Sequence, residues 1–199
     1  MRMNVNIGKL FSKAFRGLYN TRQIRKFLTV QSTKTLVHAF ISSHLDYCNA
    51  LLFGLPKYKL DRLQKFQNAV ARVIFQIPKF DRITPALIDL HWLPLTFRIQ
   101  FKLVLFVYKS LLNQSPPYIK DLFSLNPATN YALRSSAQSL LFVPKANCSS
   151  LGDRAFAHAA PVLWNSLPLT IRTSSSLAIF KKKLKTFLLR RAFSLFQFF

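Results

Sequence analysis

Acidic residues are scarce in this sequence. Its 199 residues include 29 Lys and Arg but only six acidic side chains, all of them Asp, so the formal net charge is +23. Polymerases and most nucleases gather two or more carboxylates around Mg²⁺, whereas these six Asp residues never form an adjacent pair. We therefore expect no catalytic residues and no phosphoryl transfer by this chain alone.

Glycine and cysteine are also few. The four glycines are too widely spaced to form a glycine-rich phosphate-binding loop. Cys48 and Cys148 are far apart and predict no disulfide framework, which favours an intracellular location, nuclear or cytoplasmic. His44 and Cys48 have metal-ligand spacing on a helix, with His38 one turn earlier, but nothing nearby completes a zinc site. Packing in the core is the favoured interpretation, so no metal or cofactor is predicted.

Long apolar runs are missing as well. The longest charge-free run, residues 155–171, is interrupted by Pro161 and Pro168 and is shorter than the ~20 apolar residues that span a bilayer. The first residues lack a basic region followed by an uninterrupted apolar core and a cleavage site. We therefore expect neither a membrane span nor secretion.

The sequence is half hydrophobic, and its apolar residues follow a helical period through most of the first 78 residues. The pattern predicts a helix that ends near Asn20 and a short second helix with Arg25 outward and Ile24 and Phe27 inward. A helix over about residues 33–53 follows, with Thr29 or Ser32 as its cap. After the break at residues 54–56, a helix to residue 74 should pack antiparallel to it.

Prolines recur after residue 78 and are expected to end short secondary-structure elements. We place a domain boundary there, giving a helical bundle over residues 1–78 and a helical C-terminal domain over residues 79–199, so the fold class is mainly α. The predicted elements of the second domain are a helix capped by Thr84, an all-round apolar core helix over residues 96–113, a helix over residues 155–166 capped by Asp153 and a last helix begun by residues 174–176. Residues 139–143 are β-prone, which allows a small β-hairpin.

Cations recur at helical spacing and predict nucleic-acid binding. Arg62, Lys65 and Arg72 form one stripe on the helix that ends at residue 74, and Lys57 and Lys59 extend it. A rival cluster, on the last helix, consists of Lys181, Lys182, Lys183 and Lys185. Interleaved aromatic residues suit phosphate contacts combined with stacking or groove insertion. The competing interpretation of each cation is a solvated helix face.

A series of motifs resembles the reverse transcriptases of jockey-like non-LTR retrotransposons (LINEs), in the order that this family has. In this sequence the motifs are LDYCN at 45–49, FGLP at 53–56, LQKFQNAVARVI at 63–74, LHWLP at 90–94, LRSS at 133–136, GDRAF at 152–156, APVLWNSLP at 160–168, IR at 171–172 and FKKKLK at 180–185. The resemblance covers nearly the whole chain. It implies a thumb over roughly residues 5–78, followed by the C-terminal domain of such a protein.

The family's polymerase active site is not matched by any residues of this sequence. The paired-Asp polymerase box, the fingers, the palm and the endonuclease have no counterpart here, so no catalytic residue can be carried over. The resemblance implies that RNA, DNA or an RNA/DNA hybrid is the partner, and that the missing palm and fingers are a second candidate partner. The alternative is a degenerate or domesticated helical protein that binds another protein or an acidic surface.

Overall fold

Helices dominate the structure, which is a computed structural model. It describes residues 2–47, 49–124, 140–145, 152 and 154–194, with residues 2–11 described by their backbone alone. It is 72% helical, and its described residues form no sheet, so the prediction of a mainly α fold is confirmed. The α-helices are α1 (Arg2–Ile24), α2 (Val30–Val37), α3 (Ser43–Asp46), α4 (Lys57–Phe75), α5 (Thr84–Asp89), α6 (Leu95–Leu111), α7 (Pro117–Lys120), α8 (Phe156–Asn165), α9 (Leu169–Arg172) and α10 (Leu177–Ser194).

The chain divides into two compact units, residues 1–95 and 96–199. The first unit continues past Pro78 because the segment before α6 is bonded to α4. The side-chain amide of Gln67 donates to the carbonyl of Leu93 at 2.9 Å, and Gln64 Oε1 accepts from the Leu95 amide at 2.8 Å. Gln67 is fully buried, and this bond satisfies its Nε2, whereas its Oε1 is buried without a hydrogen-bond partner among the described residues.

The core of unit 1 is formed where α1, α2 and α4 contact one another. As predicted, α4 turns its apolar face inward. The buried side chains of α4 are Leu63, Phe66, Gln67, Val70, Ala71 and Ile74. Lys34 Nζ on α2 lies 5.3 Å from the ring centroid of Phe75 at the end of α4, so the two helices are in contact, and their antiparallel direction stays a prediction.

The helix that the sequence placed over residues 33–53 is shorter and irregular. Thr29 caps α2, as predicted, by accepting a hydrogen bond from the Ser32 amide at 3.1 Å. A π-helical stretch, His38–Ser42, joins α2 to α3, the α-helical backbone ends at Asp46, and a 3-10 helix, Asn49–Leu52, follows it. Here α1 approaches closely, since a Cβ on Gly17 would lie 3.2 Å from the Phe40 carbonyl oxygen. Only glycine fits that approach without displacement.

The prediction for residues 20–28 is wrong in two respects. The first helix continues past Asn20 to Ile24, and a 3-10 turn, Arg25–Phe27, follows it. Arg25 is buried, whereas Ile24 and Phe27 are exposed, the reverse of the predicted orientation. The reason is that the Arg25 guanidinium donates to the carbonyls of Val73 and Ile74, which a helical period cannot anticipate.

In unit 2, α6 is the core helix, as its composition predicted. Its buried side chains are Ile99, Leu103, Val104, Val107, Tyr108 and Ser110. Tyr108 is stacked on Phe180 of α10 with ring centroids 3.8 Å apart, and Trp164 of α8 lies 6.1 Å from Phe180. These three buried aromatic rings join α6, α8 and α10.

The start of α10 has a side-chain cap, whereas the start of α5 has none. Thr84 is the first residue of α5 and makes no side-chain cap, whereas Ser176 caps α10 by accepting from the Ile179 amide at 3.3 Å. Asp153 and residues 131–139 lie outside the described residues. Within residues 140–145, Leu141 forms only an isolated bridge, and its backbone N–H and C=O are both bonded to the Asn165 side chain.

Candidate nucleic-acid interface

The solvent face of α4 presents three cations that have no hydrogen bond or ion pair with any residue that the structure describes. Lys57, Arg62 and Lys65 are all exposed, opposite the face that carries Leu63 and Phe66. With about 100° of rotation per residue, these three side chains fall within roughly 140° of one another around the helix. We call Lys57, Arg62 and Lys65 the α4 ridge.

One acidic residue shares this face. Asp61 is exposed between Lys57 and Lys65, so it reduces the positive potential locally. Three cations against one carboxylate still leave a net positive face. Since the opposite face is packed in the core, the ridge is held on a rigid element, which suits contacts to a regular row of phosphates.

Arg72 is on the same side of α4 but has a structural role. Its terminal nitrogens donate to the carbonyls of Pro78 and Asp81, the latter at 2.8 Å. It is half-buried and ties the turn at residues 78–81 to the last part of α4. Arg72, although part of the predicted stripe, therefore supports the turn. The cations of α4 that remain available for a ligand are those of the α4 ridge.

Lys59 lies apart from the ridge. Its side chain is half-buried at the edge of the core face, and its Nζ is 5.7 Å from the centroid of the Tyr58 ring. This cation–π contact has the usual geometry of such pairs. The Tyr58 ring is itself exposed, so the pair combines a charge and an aromatic surface next to Lys57.

The rival cluster on α10 is exposed, as predicted. The helix buries Phe180, Leu184 and Leu188, which recur every four residues, and its cations occupy the remaining surface. Lys181, Lys182 and Lys185 are exposed and have no partner within the described part of the chain, whereas Lys183 Nζ donates to the Thr170 carbonyl at 3.0 Å. The cluster therefore offers three free cations, the same number as the α4 ridge.

Two arginines that were not predicted as site residues, Arg25 and Arg172, have buried side-chain nitrogens. Arg25 is buried and bonded to two carbonyl groups at the end of α4, those of Val73 and Ile74, and to the carbonyl of Leu28. Arg172 in α9 has its Nε and Nη1 atoms buried with no hydrogen-bond partner among the described residues, and desolvation lowers its pKa. A helical period shows which face of a helix a residue occupies, but it does not show what surrounds the end of a long side chain. No local signal in the sequence therefore identifies the environment of Arg25 or of Arg172.

The described residues contain no cluster of metal-ligating side chains. Across the described ranges, no three His, Cys, Asp or Glu side chains lie together as metal ligands would. Cys48, which the sequence analysis considered beside His44, lies outside those ranges. None of the described helices is both long and apolar enough to cross a membrane.

Comparisons of the chain with protein-family models, with curated proteins and with solved structures found no match. The functional interpretation therefore depends on the charge distribution of the molecule and on the motifs of its sequence.

Proposed function

We propose that this chain binds nucleic acid through phosphate contacts, and that it is the thumb and C-terminal part of an RNA-directed DNA polymerase of a jockey-like non-LTR retrotransposon. The observation that carries the binding proposal is the α4 ridge, in which three exposed cations share one face of a helix whose other face is packed in a core. The motif order described above supports the parentage.

The physical reason for a polyanionic partner is the charge of the chain. A net charge of +23 on 199 residues repels itself in a compact fold, and neutralisation by phosphates relieves that repulsion. Lysine and arginine side chains that contact phosphates release condensed counterions, and this release supplies most of the non-specific affinity. Exposed cations on a rigid helix therefore favour binding along the backbone without recognition of base edges.

In the proposed parent protein, this mode of binding suits a thumb. A polymerase moves along any template, so a grip on sugar and phosphate serves it and sequence recognition does not. Catalysis is assigned to the palm of the parent, and the palm and fingers are a further candidate partner of this chain. RNA, DNA and an RNA/DNA hybrid are the candidate ligands.

The test is a salt series with an RNA/DNA hybrid. We expect the logarithm of affinity to fall linearly with the logarithm of salt concentration, and hybrids of unrelated sequence to bind equally. Polyglutamate of similar charge is the matched control for a merely acidic partner. Equal or tighter binding of polyglutamate, or no hybrid binding at low salt, would support the alternative of a helical protein that binds acidic surfaces.

A further inference from the structure

Two exposed aromatic rings lie on segments tied to the C-terminal end of α4. Phe27 is 77% exposed on the 3-10 turn after α1, and Phe80 is 93% exposed on the turn after α4. Large aromatic side chains are normally buried because their contact area dominates core energetics. Among the residues that the structure describes, Phe80 and Phe27 are the two most exposed large hydrophobic side chains, so both rings are accessible to a ligand.

Both turns are held by arginine side chains at the same helix end. Arg25 donates to the carbonyls of Val73 and Ile74, which fixes the turn that carries Phe27. Arg72, the residue before Val73, donates to the carbonyls of Pro78 and Asp81 on either side of Phe80. The two rings are therefore presented by pre-organised turns, which reduces the entropy lost when a ligand orders them.

A lysine accompanies each ring. Lys26 Nζ lies 4.8 Å from the centroid of the Phe27 ring, and Lys79 Nζ lies 5.8 Å from that of Phe80. The high exposure of the rings shows that the cations leave most of the aromatic surface uncovered. We call Lys26, Phe27, Lys79 and Phe80 the end patch.

This pairing matches the chemistry of single-stranded nucleic acid. Proteins that bind single strands combine cations along the backbone with aromatic rings on which successive bases stack. A base in a duplex has both faces covered by its neighbours, so a protein ring has access only to unstacked bases. Asp81 is the acidic residue of the second turn, and it is flanked by Lys79 and Arg82, so the turn remains cationic.

We propose that the end patch binds single-stranded DNA or RNA, with Phe27 and Phe80 stacked on bases and Lys26 and Lys79 on the adjoining phosphates. The proposal rests on the proposed function for the class of ligand, but it assigns a different site and a different mode of contact. The α4 ridge contacts phosphates alone, whereas the end patch requires bases.

The test compares an oligo(dT) of about 12 nucleotides with an abasic oligomer of the same length, because the two differ in bases and share their phosphates. We expect the wild-type protein to bind oligo(dT) about fivefold tighter or more for each base stacked. The variants F27A/F80A and F27L/F80L should both lose that preference, the second because leucine keeps an apolar contact but has no aromatic face. Phe40 is exposed elsewhere in unit 1, so F40A is the matched control and should keep the preference.

Substitution of Lys26 and Lys79 should change binding in a different way from substitution of the two rings. K26Q/K79Q should weaken binding of both oligomers alike and flatten the salt dependence by about 1.4 units, or 0.7 for each single-strand phosphate. Equal binding of oligo(dT) and the abasic oligomer by the wild-type protein would overturn the proposal, and so would a preference that survives in F27A/F80A. Hybrid binding by the same variants separates the two proposals, because it tests the phosphate contacts of the ridge and should be unchanged in F27A/F80A.

Discussion

The Arg25 guanidinium donates from Nη2 to the carbonyl oxygen of Ile74 at 2.7 Å, across 49 residues of sequence. Its Nε donates to the Val73 carbonyl at 2.9 Å, and its Nη1 donates to the Leu28 carbonyl at 2.7 Å. The last carbonyls of a helix have no partner within it and attract positive charge. Arg25 therefore joins the end of α1 to the end of α4.

Removal of this guanidinium should destabilise unit 1. We expect Arg25→Met, which keeps much of the apolar stem, to lower the free energy of unfolding by about 1.5–3 kcal/mol, because charged hydrogen bonds are lost and buried carbonyls are left unpaired. Arg22 is exposed in the last turn of α1, just before the turn that carries Arg25, so Arg22→Ala is the matched control and should change stability by about 0.5 kcal/mol or less. Urea unfolding measures both. Equal midpoints for the two variants would show that the Arg25 contacts do not stabilise the fold.

Substitution of Arg72 and of Arg62 should distinguish a cation that stabilises the fold from a cation that binds nucleic acid. We expect Arg72→Ala to lower the free energy of unfolding by about 1 kcal/mol, since its bonds to the turn at 78–81 are lost. Arg62→Ala should leave stability unchanged and flatten the salt dependence of hybrid binding by about 0.9 units. Thermal unfolding and binding are measured on both variants. A salt dependence that is flattened in Arg72→Ala and unchanged in Arg62→Ala would assign the phosphate contact to Arg72.

Tyr108 should make the stability of unit 2 depend on high pH. Burial raises its pKa in the folded protein, so the folded state holds the phenolic proton more tightly than the unfolded state does. The resulting stability is fully present below the unfolded pKa of about 10 and is lost as pH rises through the folded pKa. The Tyr108 hydroxyl also donates to the Ser174 carbonyl at 2.7 Å.

We therefore expect the wild-type protein to be more stable than Tyr108→Phe by about 0.5–1.5 kcal/mol at pH 8, and to lose that advantage above pH ~10. The Phe variant is the control for lysine titration, because both proteins carry the same lysines. Chemical unfolding at a series of pH values measures the difference. A difference that is constant to high pH would contradict the effect of burial on this tyrosine.

Asn165 should hold the segment at residues 140–145 in place. Its side-chain amide accepts from the Leu141 N–H at 2.9 Å and donates to the Leu141 carbonyl at 2.8 Å, as a neighbouring strand would. We expect Asn165→Ala to expose the Leu141 amide to hydrogen exchange and to destabilise unit 2 by about 1–3 kcal/mol. Ser166→Ala, at the exposed neighbouring position, is the control and should keep that protection. Unchanged exchange at Leu141 in the Asn165 variant would show that the segment is held by other contacts.

The sequence predicted those parts of the fold that depend on local periodicity. The buried faces of α4 and α10 were predicted because apolar residues recur every three or four positions, as in Phe180, Leu184 and Leu188. A cap at Thr29 or Ser32 and a helix start at residues 174–176 were predicted because a capping bond is formed within four residues, and the structure has the caps at Thr29 and Ser176. The same periods predicted the exposure of the α4 ridge and of the lysines on α10, but not the half-buried positions of Lys59 and Arg72.

The remaining features depend on contacts between residues that are distant in sequence. The buried position of Arg25 requires carbonyls almost fifty residues away, and the role of Arg72 requires the turn that follows α4. The irregular helix at residues 38–42 occurs beside Gly17, where another backbone lies close. A helical period contains none of this information, so the end patch at Phe27 and Phe80 was not predicted.

The measurement that tests the central claim most directly is the salt dependence of hybrid binding for two variants that lose the same charge. One variant is K57A/R62A/K65A, which removes the α4 ridge, and the other is K181A/K182A/K185A, which removes the free cations of α10. We expect the ridge variant to flatten the slope of log affinity against log salt by about 2–3 units, or 0.9 for each lost phosphate contact, and the α10 variant to change it less. A slope that is flattened only in the α10 variant, or in neither, would contradict the assignment of the α4 ridge as the nucleic-acid interface.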